Sequence, residues 1–79
     1  MKKKKRPKLL KLKGRIVAES LTMEQTAEKT GISYSALRNK LNGDSTFTTD
    51  EISDLVEILN IDLGDIIIYF FPEQVRNAS

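Results

Sequence analysis

Residues 34–42 contain five polar side chains, Tyr34, Ser35, Arg38, Asn39 and Asn42, that a helix would bring to one side. With about 100° per residue and Tyr34 at the origin, they span roughly 0° to 140°, whereas Ser33, Leu37, Lys40 and Leu41 fall at roughly 240° to 340°. The first set holds what the edge of a base pair in the major groove requires. Arg suits guanine O6 and N7, Asn suits adenine N6 and N7, Ser suits either, and a Tyr ring can touch a thymine methyl. A polar outer face is also what any surface helix shows to water, so this pattern gains meaning only from its surroundings.

Other chemistries have little to work with. The chain has no Cys and no His, which removes disulfides, thiolate and imidazole metal sites, a Cys nucleophile and the usual general base. Its carboxylates have structural explanations. Asp50, Glu51, Asp62 and Asp65 fit helix caps and first turns, and Asp54 and Glu57 fit a wet helix face. No Gly-rich phosphate loop or metal-ligand cluster is present, so the expectation is a protein that is not an enzyme and needs no cofactor.

Charge is distributed unevenly along the 79 residues. Residues 1–15 hold nine of the thirteen basic residues and no acid, a local +9, so a net charge of +2 leaves −7 on the remainder. Residues 44–79 carry eight acids and only Arg76. A like-charged terminus repels itself, stays extended and binds phosphates, while an acidic end is pushed away from them. Lys2, Lys3, Lys4, Lys5, Arg6 and Lys8 are therefore the expected phosphate contacts of a disordered basic arm over residues 1–8, which has no apolar residue after Met1 and includes Pro7. If six of its charges met phosphates, log K would fall with log salt at a slope of about −5. A polybasic segment can also lie on an anionic membrane. That reading is weaker, because Pro7 and the Lys spacing beyond it leave no broad lipid-facing stripe. No stretch approaches the roughly 18 to 20 apolar residues of a membrane span, and Lys11, Lys13 and Arg15 interrupt any secretory signal, so an intracellular location is expected.

The elements that must position the polar face are legible as capped helices. Leu9, Leu12 and Ile16 share one side of a first helix that starts near Lys8 or Leu9 and ends near Ser20; Leu10 and Val17 form a weaker second stripe, and Gly14 costs about 1 kcal/mol relative to Ala. Thr22 and Gln25 have capping-box spacing ahead of a second helix over Met23 to Thr30. Gly31 suits a left-handed closing position, Ile32 is an apolar anchor, and Ser33 caps a third helix running to about Leu41. Two short helices joined by a Gly-containing turn make a helix-turn-helix layout. Thr48 and Glu51 form a second capping box, flanked by the hydrophobic staple pair Phe47 and Ile52. The fourth helix buries Ile52, Leu55, Val56 and Leu59. Asp62 can cap a fifth element, but Ile66 to Phe71 is β-branched and aromatic, compatible with a short helix or a strand. Pro72 is expected to end it, with residues 72–79 a frayed tail. Ile66, Ile67 and Phe70 are expected in the core. The rest of the run, Ile68, Tyr69 and Phe71, is expected to form an exposed patch for self-association.

Residues 21–43, LTMEQTAEKTGISYSALRNKLNG, resemble the helix-turn-helix of the Cro and phage-repressor (XRE) family through Ala27 and Gly31 four apart, Ile32-Ser33, Leu37 and a closing Asn42-Gly43. The helix order extends the likeness over most of residues 9–71, and the ending is similar to small phage-encoded Cro-like regulators. The resemblance implies an all-α, compact five-helix lambda-repressor-like DNA-binding domain over residues 9–71, with its motif at residues 22–42. It also implies a homodimer acting on transcription in a bacterial host, in the cytoplasm at the nucleoid. Carried over by position, Tyr34, Ser35, Arg38 and Asn39 face bases. Met23 and Gln25 lie over the DNA backbone, and Asn42 and Lys40 join the backbone-contacting set. Thr26, Thr30 and Lys40 stand where the family has aliphatic residues, which implies thinner packing between the motif helices, with Leu41 replacing Lys40 in the core. A twofold dimer would place two recognition helices about 34 to 36 Å apart and favour a near-palindromic operator. The rival expectation is a protein-binding modulator of a partner repressor, using the acidic and apolar C-terminal half.

Overall fold

A computed structural model describes residues 6–75, and its elements begin and end where local chemistry dictates. Helix α1 spans Leu10–Ala18, α2 Met23–Thr30, α3 Tyr34–Leu41 and α4 Thr49–Ile58; a 3-10 turn over Leu63–Asp65 leads into α5 at Ile66–Phe70, and α6 is one turn at Pro72–Val75. The domain is all-α, with no strand among the described residues. Both expected capping boxes form. Thr22 Oγ1 accepts from Gln25 N–H at 3.0 Å while Gln25 Oε1 accepts from Thr22 N–H at 2.9 Å; Thr48 and Glu51 reciprocate at 3.1 and 2.9 Å.

Three helices end in the same way. After α1, α3 and α4 a single residue turns left-handed, Ser20 at φ 62°, Gly43 at φ 89° and Asn60 at φ 54°. The amide that follows each one reaches back over the last turn: Leu21 to Ile16 O, Asp44 to Asn39 O and Ile61 to Val56 O, at 2.9 to 3.1 Å. These paired bonds satisfy carbonyls that a helix end would otherwise leave open. Gly43 has a second reason to be glycine, because the Arg6 carbonyl lies where a Cβ would sit.

The core is one cluster. Leu9, Leu12 and Ile16 of the first segment meet Ala27, Ile32, Leu37 and Leu41 of the helix-turn-helix, and Leu55, Leu59, Ile61 and Phe70 close the other side. Helix α1 packs on α3 and α5, and α2 packs on α3 and α4. Arg15 ties α1 to the end of α4, donating to Leu59 O and Asn60 O at 2.9 Å each, where the cation also meets the negative end of the helix dipole. Thr26 is fully buried without an orphan hydroxyl, because its Oγ1 donates to Thr22 O at 2.9 Å and leaves its methyl for the core. Thr30 does the same toward Thr26 O. Leu41 takes the buried position, 1% exposed, as expected from the Lys at position 40.

One alternative that the sequence leaves open is resolved, and two expectations need correction. The segment after Asp65 is helical. The helix is five residues long with only Ile66, Ile67 and Ile68 β-branched, and Phe70 is anchored edge-on against Phe47, with ring centroids 5.7 Å apart. Residues 72–75 form α6 instead of the start of a frayed tail, with Pro72 at its first position, where its fixed φ and missing N–H are tolerated, and residues 76–79 of the expected tail lie outside the described residues. Within the apolar run, Ile67 is 52% exposed rather than in the core, whereas Ile68, Tyr69 and Phe71 are half-buried rather than open. A five-residue helix lying on the bundle has one inward side, and Phe70 and Ile66 occupy it.

Candidate nucleic-acid interface

The third helix is positioned from both ends and from beneath. Its start is fixed by Ser33 Oγ, which accepts from Ala36 N–H at 3.1 Å, after a turn in which Gly31 adopts φ 76° and Ile32 is buried. Its lower side is fixed by Leu37 and Leu41, at 0% and 1% exposure. Tyr34, Ser35, Arg38 and Asn39 are consequently all exposed on the opposite side. The Arg38 guanidinium carbon lies 5.9 Å from the Tyr34 ring centroid, one turn away, so the ring holds the guanidinium along the helix surface. No protein partner is bonded to the polar tips of these four side chains among the described residues.

A surface hollow of about 180 Å³ adjoins this face, lined by Lys13, Met23, Tyr34, Arg38, Leu41 and Asn42. Met23 and Asn42, both assigned to backbone contact, therefore stand beside the face. Gln25 is exposed but half-committed, since its amide oxygen closes the α2 capping box and only the amide N–H groups are left for another molecule. Lys13 belongs to this hollow and was missed as a site residue. The signal was available in its angular position about 40° from Leu9, at the flank of the buried stripe, where a side chain must lean on a neighbouring helix.

Lys40 points elsewhere. Its Nζ donates to Glu51 Oε1 at 2.6 Å and stands 5.8 Å from the Phe47 ring centroid, with only 14% of the side chain exposed. Lys40, expected among the phosphate contacts, has its charge paired inside the domain, because it lies on the packing side of α3. Partial burial pushes the Glu51 carboxyl up, but the Lys40 hydrogen bond, the Thr48 backbone N–H and the ammonium charge together hold it below its ordinary value.

The basic arm is placed only in part. Lys2, Lys3, Lys4 and Lys5 lie outside the described residues. Arg6, expected to be extended and available, is docked instead. Its backbone N–H donates to Gly43 O at 3.2 Å, its Nη2 donates to Glu73 Oε2 at 2.6 Å, and its guanidinium carbon is 5.5 Å from the Phe71 ring centroid. The backbone N–H of Glu73 itself, and then Arg6, hold the Glu73 carboxyl below its ordinary value. Lys8 is exposed on another surface, an apolar groove of about 270 Å³ shared with Leu10, Lys11, Ile68, Tyr69 and Pro72. Of the three expected self-association residues, Ile68 and Tyr69 thus line one groove, and Phe71 is covered by Arg6. Among the described residues the most exposed large apolar side chains are Leu63 at 76%, Val17 at 73% and Leu10 at 66%.

Among the described residues there is no group of three or more acidic side chains arranged to hold a metal, and no helix long and apolar enough to cross a membrane. The molecule is thus a small all-α domain that presents a polar, well-supported face on α3, the second of two short helices joined by the Gly31 turn. The chain belongs to the family described as "Protein of unknown function (DUF739)", which matches residues 8–73. No curated protein matches it.

Proposed function

We propose that the domain is a sequence-specific double-stranded DNA-binding transcriptional regulator that reads the major groove with α3. The observation that carries this reading is the division of α3 into two sides. Leu37 and Leu41 are sealed in the core, and Tyr34, Ser35, Arg38 and Asn39 stand exposed together with their polar ends uncommitted to the protein. A solvated face needs no such set. Arg and Asn at adjacent positions offer the bidentate contacts that discriminate guanine and adenine. Lys13, Met23 and Asn42 adjoin the face and, with Gln25 in the first turn of α2, would meet the phosphates that set its register. The resemblance to the Cro and phage-repressor family supports the same assignment, with a bacterial intracellular location and without a catalytic role or cofactor.

Two copies are part of the proposal. The apolar surface around Leu10, Ile68 and Tyr69 is the surface we assign to pairing, and a twofold pair would put two copies of α3 on successive major-groove faces about 34 to 36 Å apart. A second reading has its own observation. Leu63 is exposed between Asp62 and Asp65, an apolar point in the acidic half that suits a partner repressor rather than DNA.

Fluorescence anisotropy on operator-containing and scrambled duplexes from the neighbouring genome, across a salt series and with Arg38→Ala, tests the assignment. A sequence preference that survives moderate salt and falls with Arg38→Ala is expected. Equal, steeply salt-dependent binding to both duplexes, unchanged by Arg38→Ala, would sink it and turn attention to the Leu63 surface.

A further inference from the structure

We propose that Tyr34 is a positioning residue for Arg38, and that its ring holds the guanidinium in the pose that reads a guanine in the major groove. This rests on the DNA-binding reading above and assigns that reading one base type. The starting observation is how the domain treats cations that lie beside rings. Three such contacts are present among the described residues: Arg6 on Phe71 at 5.5 Å, Lys40 beside Phe47 at 5.8 Å and Arg38 on Tyr34 at 5.9 Å. In the first two the cation is also paired with a carboxylate at 2.6 Å, Glu73 for Arg6 and Glu51 for Lys40. Arg38 has the ring and no ion pair among the described residues.

The distinction is chemical. A carboxylate takes up the N–H donors of a guanidinium, whereas the face of a ring attracts its charge and leaves the donors at its rim open. Arg38 is therefore held without losing what it needs for a base. Guanine takes two of those donors at once, one at O6 and one at N7. A loose arginine side chain gives up rotamer freedom to adopt such a pose, so ordering it beforehand favours binding. The ring is itself placed. Tyr34 is the first residue of α3, directly after the Ser33 cap, and at 44% exposure it lines the hollow shared with Lys13, Met23, Leu41 and Asn42. Arg38 follows one turn later on the same side, where side chains four apart meet. The lining of that hollow includes a second cation, Lys13, and no acid, so no carboxylate there competes for the guanidinium.

The probe is the duplex that the full wild-type chain selects from a randomised pool of about two helical turns. Anisotropy on that duplex, with each G·C pair exchanged in turn for A·T, gives the guanine preference as a ratio of affinities. The position where Arg38→Ala abolishes the preference is the one Arg38 reads. There Tyr34→Leu, which removes the ring and keeps an apolar side chain, should reduce the preference about two- to fivefold, and Tyr34→Phe should retain it. Tyr34→Leu should cause no further loss in the Arg38→Ala background, and neither Tyr34 variant should change the salt slope, since no phosphate contact is removed. In the free protein the Arg38 side-chain protons should show the upfield NMR shift that a ring face produces, kept in Tyr34→Phe and lost in Tyr34→Leu. A missing shift, or an unchanged preference in Tyr34→Leu, would overturn the proposal while leaving the reading by α3 intact. So would an equal Tyr34→Leu loss with and without Arg38, or a loss that disappears when thymine is exchanged for deoxyuridine, because the ring would then touch DNA itself. Indifference to Arg38→Ala, or no duplex selected at all, removes the DNA reading as well. Thermal melting confirms that each variant is folded, and Tyr34→Gln is a second ring-free variant if Tyr34→Leu melts early.

Discussion

The two sides of α3 belong to one eight-residue helix, yet they treat charge in opposite ways. On one side Arg38 rests along the Tyr34 ring with its hydrogen-bonding capacity unspent. On the other, two residues further, Lys40 is paired with Glu51, set beside Phe47 and largely hidden from water. Both are cations at the C-terminal end of the helix, where the dipole favours them equally. The difference lies in what faces them. Lys40 looks across to the capping box of α4, where Glu51 Oε1 accepts from both Lys40 Nζ and Thr48 N–H, so one carboxylate serves two bonds. Arg38 has no ion pair among the described residues and rests on the Tyr34 ring of its own helix. A cation's position in a sequence thus says little about its partner until the facing element is known.

The largest expected effect breaks this comparison at its foundation. Leu37→Ala removes a fully buried side chain from beneath both sides and should cost about 2 to 5 kcal/mol, a large fraction of the stability of so small a domain. Chemical denaturation should show it, and any loss of DNA binding should vanish at temperatures where the variant is still folded. Arg38→Ala should do the reverse, leaving the melting midpoint nearly unchanged while costing about 1 to 3 kcal/mol of binding to the preferred duplex. A midpoint that falls as far as affinity does would place Arg38 with Lys40 and erase the contrast. Smaller still is Ser33→Ala, which takes the acceptor from Ala36 N–H and should cost about 1 kcal/mol, read as faster hydrogen exchange in the first turn of α3.

Much of this was legible because it is local. Both capping boxes, the Gly31 turn, the Ser33 cap and the heptad-like burial of α1, α3 and α4 depend on spacings of three and four residues, which a sequence displays directly. The exposed set Tyr34, Ser35, Arg38 and Asn39 came from the same periodicity. What sequence did not give was tertiary. Lys40 could be placed on the packing side but not matched to Glu51, eleven residues on and in another helix. Arg6 and Glu73, separated by 67 positions, meet only because α6 folds back over the start of the chain. Ile67 and Phe71 exchanged roles for a related reason. In a run of six apolar residues periodicity has no contrast, and which members face inward is decided by the Phe47 ring against Phe70.

The smallest effect is the most specific to the contrast, because it uses protonation to cancel Lys40. The Glu51 carboxyl is held below its ordinary 4.5, net of a burial that pushes it up, chiefly by the Lys40 hydrogen bond. A depressed folded-state value means that the ionised form favours folding. That contribution is complete above about pH 4.5 and is lost as pH falls through the folded value, when the carboxyl takes a proton and the pair becomes a lone buried-side ammonium. Lys40→Met keeps most of the stem against Phe47 and removes the charge. At neutral pH the variant should melt slightly lower than wild type, by the equivalent of about 1 kcal/mol or less for a pair of this exposure. The gap should narrow as pH drops below 4.5 and close, or reverse, once Glu51 is neutral. Glu51→Gln, which can still accept from Thr48 N–H, should flatten the same portion of the wild-type curve. DNA binding at neutral pH should be indifferent to Lys40→Met. A loss matching that of Arg38→Ala would show that Lys40 leaves Glu51 for phosphate in the complex, and that the inward side of α3 is not closed to DNA after all.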